Sequence, residues 1–226
     1  MTNKDIDDIL KSSTHEADPA LLAGIAASIS ARLAPVRPLP PSWALTAAIA
    51  VICGIVPTVA AFFLGFQGIE RLGMDRIRWI FPTLVLFTIF AASLTVAEMI
   101  PGSRRIVNAG TLLAASSLAV LAVFALLFHD FDMSRFIPQG LVCLGVGMLV
   151  AIPTGLANWL ALRRGFAVNA TSAGLAAGTL AGLAGVIALE LHCPNFRAMH
   201  LMVWHTAVIL VGAFTGAMLG SLIARK

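Results

Sequence analysis

Six apolar runs constrain this chain more than any other feature in it. They cover residues 43–65, 77–97, 106–128, 137–162, 166–189 and 199–223. Each is near the ~20 residues that an α-helix needs to cross a bilayer. Inside hydrocarbon every backbone N–H and C=O must find its partner within the protein, so runs of this length are read as transmembrane helices. Composition agrees. The chain is 59% hydrophobic and only 12% charged, where a soluble domain carries about 25% charge. The expected fold is an all-α integral membrane protein. Six transmembrane helices over residues 42–226 follow a short N-terminal cytoplasmic amphipathic segment over residues 1–41. Trp43, Trp79, Trp159 and Trp204 fall near the ends of the runs, where interfacial tryptophans gather.

Lysine and arginine set the expected orientation, because cytoplasmic connections carry an excess of them. Lys4, Lys11, Arg32, Arg37, Arg104, Arg105, Arg163, Arg164, Arg225 and Lys226 lie on one side. Arg71, Arg76, Arg78, Arg135 and Arg197 lie on the other. The split places both termini in the cytoplasm and the loop around Cys193 outside. The first 40 residues lack the apolar core of a signal peptide.

The tail before the first span is patterned. Ile6, Ile9 and Leu10 share a face of a helix expected over residues 3–13, with Thr2 as its cap. Asp18-Pro19 reads as an N-cap followed by proline at the first helical position. Leu22, Ile25, Ile29 and Leu33 then recur at helical spacing. Pro35, Pro38, Pro40 and Pro41 form a stiff spacer. Two helices of this size bury no core together. The tail is either a disordered leader or a segment that folds into a partner's groove.

Small residues repeat every four positions late in the chain. Gly174, Gly178 and Gly182 do so in the fifth run, Gly212, Gly216 and Gly220 in the sixth, and Gly147, Ala151 and Gly155 in the fourth. Such ladders let helix backbones approach closely in lipid, so contact among the last three helices is expected. Pro57, Pro82 and Pro153 are expected to bend their helices.

No span carries a central Asp, Glu, Lys or Arg, which argues against a transporter coupled through a midplane carboxylate. Glu98 and Glu190 fall at helix ends, where headgroup water is expected to reach them, with pairing to Arg104 or Arg105 as the alternative for Glu98. No nucleotide-binding loop, nucleophile elbow or metalloprotease helix is present, so the chain is not read as an enzyme. The scattered positive charge gives no nucleic-acid patch. Polar residues gather instead at the outer face. His129, Asp130 and Asp132 occupy the third connection, and Glu190, His192, Cys193 and His200 occupy the fifth or flank it. Cys143 and His205 each lie about two turns into a helix from that face, at a shared depth of ~9 Å. Thiolate and imidazole suit soft metals, although the spacing matches no standard zinc pattern. The thiols are open to three readings: inert buried cysteines, a soft-metal site with His192, His200 and His205 as accessory groups, or a Cys143–Cys193 disulfide. Cys53 reads as a small buried hydrophobe.

From Cys143 onward the chain resembles the NrsF-type family, the negative regulators of sigma-F. The matching features are Cys143-Leu144, Pro153, Arg163-Arg164-Gly165, Ala173-Gly174, Leu191-His192-Cys193-Pro194, Trp204 and the small-residue final helix. Pro35-Val36-Arg37-Pro38-Leu39 and Pro101-Gly102 fit the same pattern. The chain departs from it at Asn195, where the family has an acidic residue, and at Trp204-His205, where it has Trp-Tyr. The resemblance implies a six-helix inner-membrane anti-sigma factor. Its cytoplasmic segment would hold an extracytoplasmic-function sigma factor, and cysteines matched here by Cys143 and Cys193 would govern release under metal or oxidative stress. A soft metal ion would then be a signal; no cofactor is otherwise implied. The competing readings are a small transporter or metal-handling protein, and a structural membrane subunit without a ligand.

Overall fold

The computed structural model describes residues 19–32, 40–162 and 167–223. The chain divides into two compact units, Met1–Leu39 and Pro40–Lys226. Within the first, α1 spans Pro19–Arg32. Proline opens it, as expected from a fixed φ and a missing N–H that the first turn does not need. Leu22, Ile25 and Ile29 are all exposed along α1. Ile6, Ile9, Leu10 and Leu33 lie outside the described residues.

The second unit holds α2 (Ser42–Leu64), α3 (Gln67–Arg71), α4 (Met74–Met99), α5 (Ala109–Leu127), α6 (Phe136–Leu162) and α7 (Ala170–His192). It ends with α8 (Ala198–His200), which runs through a π-helical turn (Leu201–His205) into α9 (Thr206–Ile223). Six helices are long and apolar enough to cross a membrane: α2, α4, α5, α6, α7 and the continuous span Ala198–Leu222. The protein is a multi-pass membrane protein, and every regular element among the described residues is helical.

Local chemistry sets the ends. Asn108 caps α5, its Oδ1 accepting from the Thr111 N–H at 2.7 Å. Asn169 caps α7 through Ser172 N–H at 3.0 Å, which starts that helix at Ala170, four residues later than the apolar run suggests. Gly65 closes α2 at φ +97°, a conformation that costs a side chain but not glycine. Buried and lipid-facing hydroxyls fold back onto their own helices. Thr95 and Thr179 each bond the carbonyl four residues earlier at 2.8 Å. Pro57, Pro82 and Pro153 sit inside α2, α4 and α6.

Helix α7 is the hub. In its most apolar stretch 78% of residues are covered by protein, against at most 44% in any other span. It touches α2, α3, α4, α5, α6 and α9. A helix apolar on every side belongs in a core, not at a lipid boundary. The glycines explain the α7–α9 contact. A Cβ on Gly182 would lie 2.6 Å from Ile209 Cα, and one on Gly212 would lie 2.8 Å from the Gly178 carbonyl oxygen. Gly174 and Gly216 face each other's carbonyls still more closely. The two ladders therefore meet backbone to backbone along the whole interface. The third ladder is looser. Gly147 meets Val208 and the backbone opposite Gly185, but Gly155 makes only ordinary contact with Ala181.

Glu98 is not reached by headgroup water as expected. It is 1% exposed, pairing with Arg105 at 3.0 Å and accepting from Ser172 Oγ at 2.8 Å. This ties the end of α4 to the start of α7, because a buried carboxylate needs compensation. Glu190 is also 1% exposed, at the opposite end of α7.

Gly178→Leu or Gly216→Leu should force α7 and α9 apart, destabilise the protein by about 1–3 kcal/mol and so lower its thermal midpoint in detergent. Gly145→Leu, at a glycine whose Cβ position is open space, should leave it unchanged. Equal effects at all three positions would show that the ladders are not packed.

Candidate functional site

The connections after the first, third and fifth spans share one end of the bundle, and polar side chains converge beneath them. Cys143 lies two turns into α6. Cys193 ends α7, its N–H bonded to the Leu189 carbonyl at 2.6 Å. Pro194 follows and prevents the helix from continuing. His200 closes α8, and His205 closes the π-helical turn.

The π-helical turn makes the site. At 3.6 residues per turn, positions five apart lie about 140° apart around an α-helix, so His200 and His205 would face different ways. Pairing each residue with the one five along brings such positions over one another. The two rings stand 5.4 Å apart, edge to face. Trp204, in the same turn, lies against the Cα of Gly140, where no side chain could fit.

Four donors meet here. Cys143 Sγ and Cys193 Sγ are 3.3 Å apart, and both cysteines are free thiols. Cys193 Sγ is 3.6 Å from His200 Nε2. The ligand atoms of Cys143, Cys193, His200 and His205 all lie within 4.8 Å of one another. Cys143 is half-buried, while Cys193, His200 and His205 are buried. The contact with Cys143, and burial after it, push the Cys193 thiol pKa above its ordinary value.

Glu190 supports the cluster from α7. The His205 Nδ1–H donates to Glu190 Oε1 at 2.6 Å, with both side chains fully enclosed. That bond leaves His205 Nε2 without a hydrogen-bond partner. His200 Nδ1 and Glu190 Oε2 are likewise unpartnered. Buried polar atoms normally find partners, so three orphans in one cluster mark it as unusual.

The surrounding loops are tied together over the site. The Ala198 N–H donates to the Asp130 carbonyl at 2.6 Å, and Asn195 Nδ2 to Gln139 Oε1 at 2.9 Å. Arg197 pairs with Asp132 at 2.8 Å and donates to the Ser134 carbonyl. Hydrogen bonds from the Ser134 backbone and side chain hold the Asp132 carboxyl below its ordinary pKa. A cavity of about 590 Å³ adjoins the thiols, lined in part by Cys143, Cys193, His200 and Asn195. It gives small solutes a way in.

The residues singled out from sequence separate here. Cys143, Cys193, His200 and His205 come together. His192 turns away from them, its Nδ1 3.1 Å from the Gly65 carbonyl. Cys53 is buried within α2. Glu190, expected from sequence among the polar residues of the outer face but with no partner assigned, holds His205. The signal for it was its place three residues before Cys193, on the same face of the last turn.

The chain finds no match among curated proteins or solved structures. The sequence model described as NrsF, negative regulator of sigma F, does match, over residues 29–225; the chain belongs to that family.

Proposed function

We propose that this protein is an inner-membrane anti-sigma factor. Its cytoplasmic tail sequesters an extracytoplasmic-function sigma factor, and the Cys143–Cys193 pair on the periplasmic side triggers release under metal or oxidative stress. The observation that carries this reading is the pairing of family membership in the negative regulators of sigma F with an exposed apolar stripe. Leu22, Ile25 and Ile29 on α1 are 46–54% exposed, and an amphipathic helix gains by laying such a stripe into a partner's groove. The thiols supply a trigger. Two sulfurs 3.3 Å apart can close to a disulfide bond of ~2.05 Å. In that step one S–S bond forms, two S–H bonds break, and two electrons and two protons pass to the oxidant. A soft metal ion can act on the same pair by displacing the thiol protons. Either event helps release only if it favours one arrangement of the helices over another.

Three measurements test this. In a background with Cys53, Cys143 and Cys193 replaced by serine, Phe131→Cys in intact cells should react with a membrane-impermeant thiol reagent and Ile106→Cys should not. The reverse pattern inverts the orientation. Deleting residues 1–34 should abolish repression of a sigma-dependent reporter while leaving the protein in the membrane. Ile25→Asp should weaken sigma-factor binding roughly 100-fold, since an unpaired charge at a covered apolar face costs about 3 kcal/mol. Full repression by both tail variants places the inhibitory surface elsewhere. Cys143→Ser and Cys193→Ser should each alter induction by cadmium or oxidant, and the double variant should match the single ones, because residues acting as a unit are not additive. Cys53→Ser should behave as the unaltered protein.

A further inference from the structure

We infer that Cys143, Cys193, His200 and His205 form a closed tetrahedral site for one zinc-type divalent cation, with Glu190 as the carboxylate that orients His205. The inference rests on the outer-cluster half of the proposed function and is independent of the sigma-factor half.

Three observations lead to it. The first is donor type and spacing. A tetrahedral zinc ion bound by two sulfurs at ~2.3 Å and two nitrogens at ~2.0 Å places its donors about 3.3–3.8 Å apart. Here the sulfurs are 3.3 Å apart, one sulfur–nitrogen distance is 3.6 Å, and every donor lies within 4.8 Å of the others. A small outward shift of the sulfurs and closure of the widest donor spacing, at most 4.8 Å, completes the tetrahedron. Thiolate and imidazole together select zinc-like ions over magnesium, calcium or manganese.

The second is the supporting shell. Metal-bound histidines characteristically donate their other ring N–H to a carboxylate, which fixes the tautomer and aims the free nitrogen at the ion. Glu190 does this for His205 at 2.6 Å. The His205 Nε2 left over is buried and lacks a partner, and is free to be offered to an ion.

The third is charge. Two thiolates neutralise a dication, and neutral imidazoles add none. The two thiolates therefore balance the ion itself at a depth where an isolated charge is costly, and the Glu190 carboxylate is compensated by the hydrogen bond from His205. Binding releases the two thiol protons to solvent. All four positions are filled by protein, as in structural or sensing sites and unlike catalytic ones that keep a water. The ion would pin α6, the end of α7 and the π-helical turn to one another, so its loss or replacement would be felt in the packing of the last three spans.

The test uses the full chain purified in detergent, first analysed for metal and then stripped and titrated with cobalt(II). The expected result is one zinc per chain as isolated. Cobalt should give the intense visible bands of tetrahedral coordination and the ultraviolet thiolate charge-transfer band. His205→Gln and Cys193→Ser should each lose that spectrum. Glu190→Gln should keep the spectrum and bind about 10–100-fold more weakly. His192→Gln should match the unaltered protein. Weak octahedral cobalt bands, or no uptake by the unaltered chain, overturn the site without recourse to any variant that fails to fold. So does a spectrum that survives His205→Gln unchanged. The readout involves no sigma factor. A bound ion without tail-dependent repression refutes the anti-sigma reading alone, and repression without a bound ion refutes this one alone.

Discussion

The contact on which the rest depends is the meeting of two backbones, α7 against α9, across facing glycines. Apolar side chains gain nothing by leaving lipid for one another, so helices in a bilayer associate through close van der Waals contact and polar bonds. Removing every Cβ from the line between Gly174 and Gly220 brings main chain against main chain. That places α7 at the centre of the bundle and lets α6 lie against it at Gly147 and Gly185. The arrangement is specific because it is steric. No other pair of spans in the described residues offers two facing ladders, so no other pairing reaches the same closeness.

Burial at the centre also sets the polar chemistry. Both carboxylates of α4 and α7 that lie within the bundle are enclosed, and each is compensated at a different end. Glu98 has Arg105 and Ser172; Glu190 has His205. A low dielectric makes such bonds strong and leaves any unsatisfied group expensive. The Glu98 end resolves into an ion pair closed by a hydroxyl. The Glu190 end does not: His200 Nδ1, His205 Nε2 and Glu190 Oε2 stay unpartnered beside the two thiols' cluster. The same helix thus carries a settled polar contact at one end and a receptive one at the other.

Much of the fold was legible in the chain because lipid imposes one rule on length and another on spacing. The spans follow from runs of apolar residues, and their observed bounds differ from the runs by at most a few positions. The ladders of α7 and α9 follow from a period of four. Other features follow neither rule. Short α3 lies between spans, where hydropathy is silent; its Gly68 packs on the backbone at Glu190 and Leu191. The enclosure of Glu98 and Glu190 depends on neighbours distant in the chain. Hardest to read was the union of His200 with His205. Ordinary helical periodicity assigns them to different faces, and only a local change to wider winding joins them. The histidine next to Cys193 in sequence, His192, is instead drawn to the loop after α2. Proximity in sequence and proximity in space part company just where the helix geometry changes.

The position of the cluster suits a switch on energetic grounds. Carrying a two-state equilibrium from 1:99 to 99:1 takes about 5.5 kcal/mol of differential binding. Single hydrogen bonds supply about 1 kcal/mol each, too little for one to act alone. A four-ligand dication site of the zinc-finger type is worth roughly 10–16 kcal/mol, so losing somewhat more than half of it in one arrangement is enough. The donors come from α6, from the end of α7 and from the turn leading into α9. Among the described residues α7 and α9 are held by the closest backbone contacts and α6 packs on α7 at Gly147 and Gly185, and closely packed interfaces move between discrete arrangements rather than deform smoothly. A change in the coordination of Cys143 and Cys193 would therefore reach the far ends of α6 and α9 as a rigid shift. A site on a peripheral loop would dissipate the same energy locally.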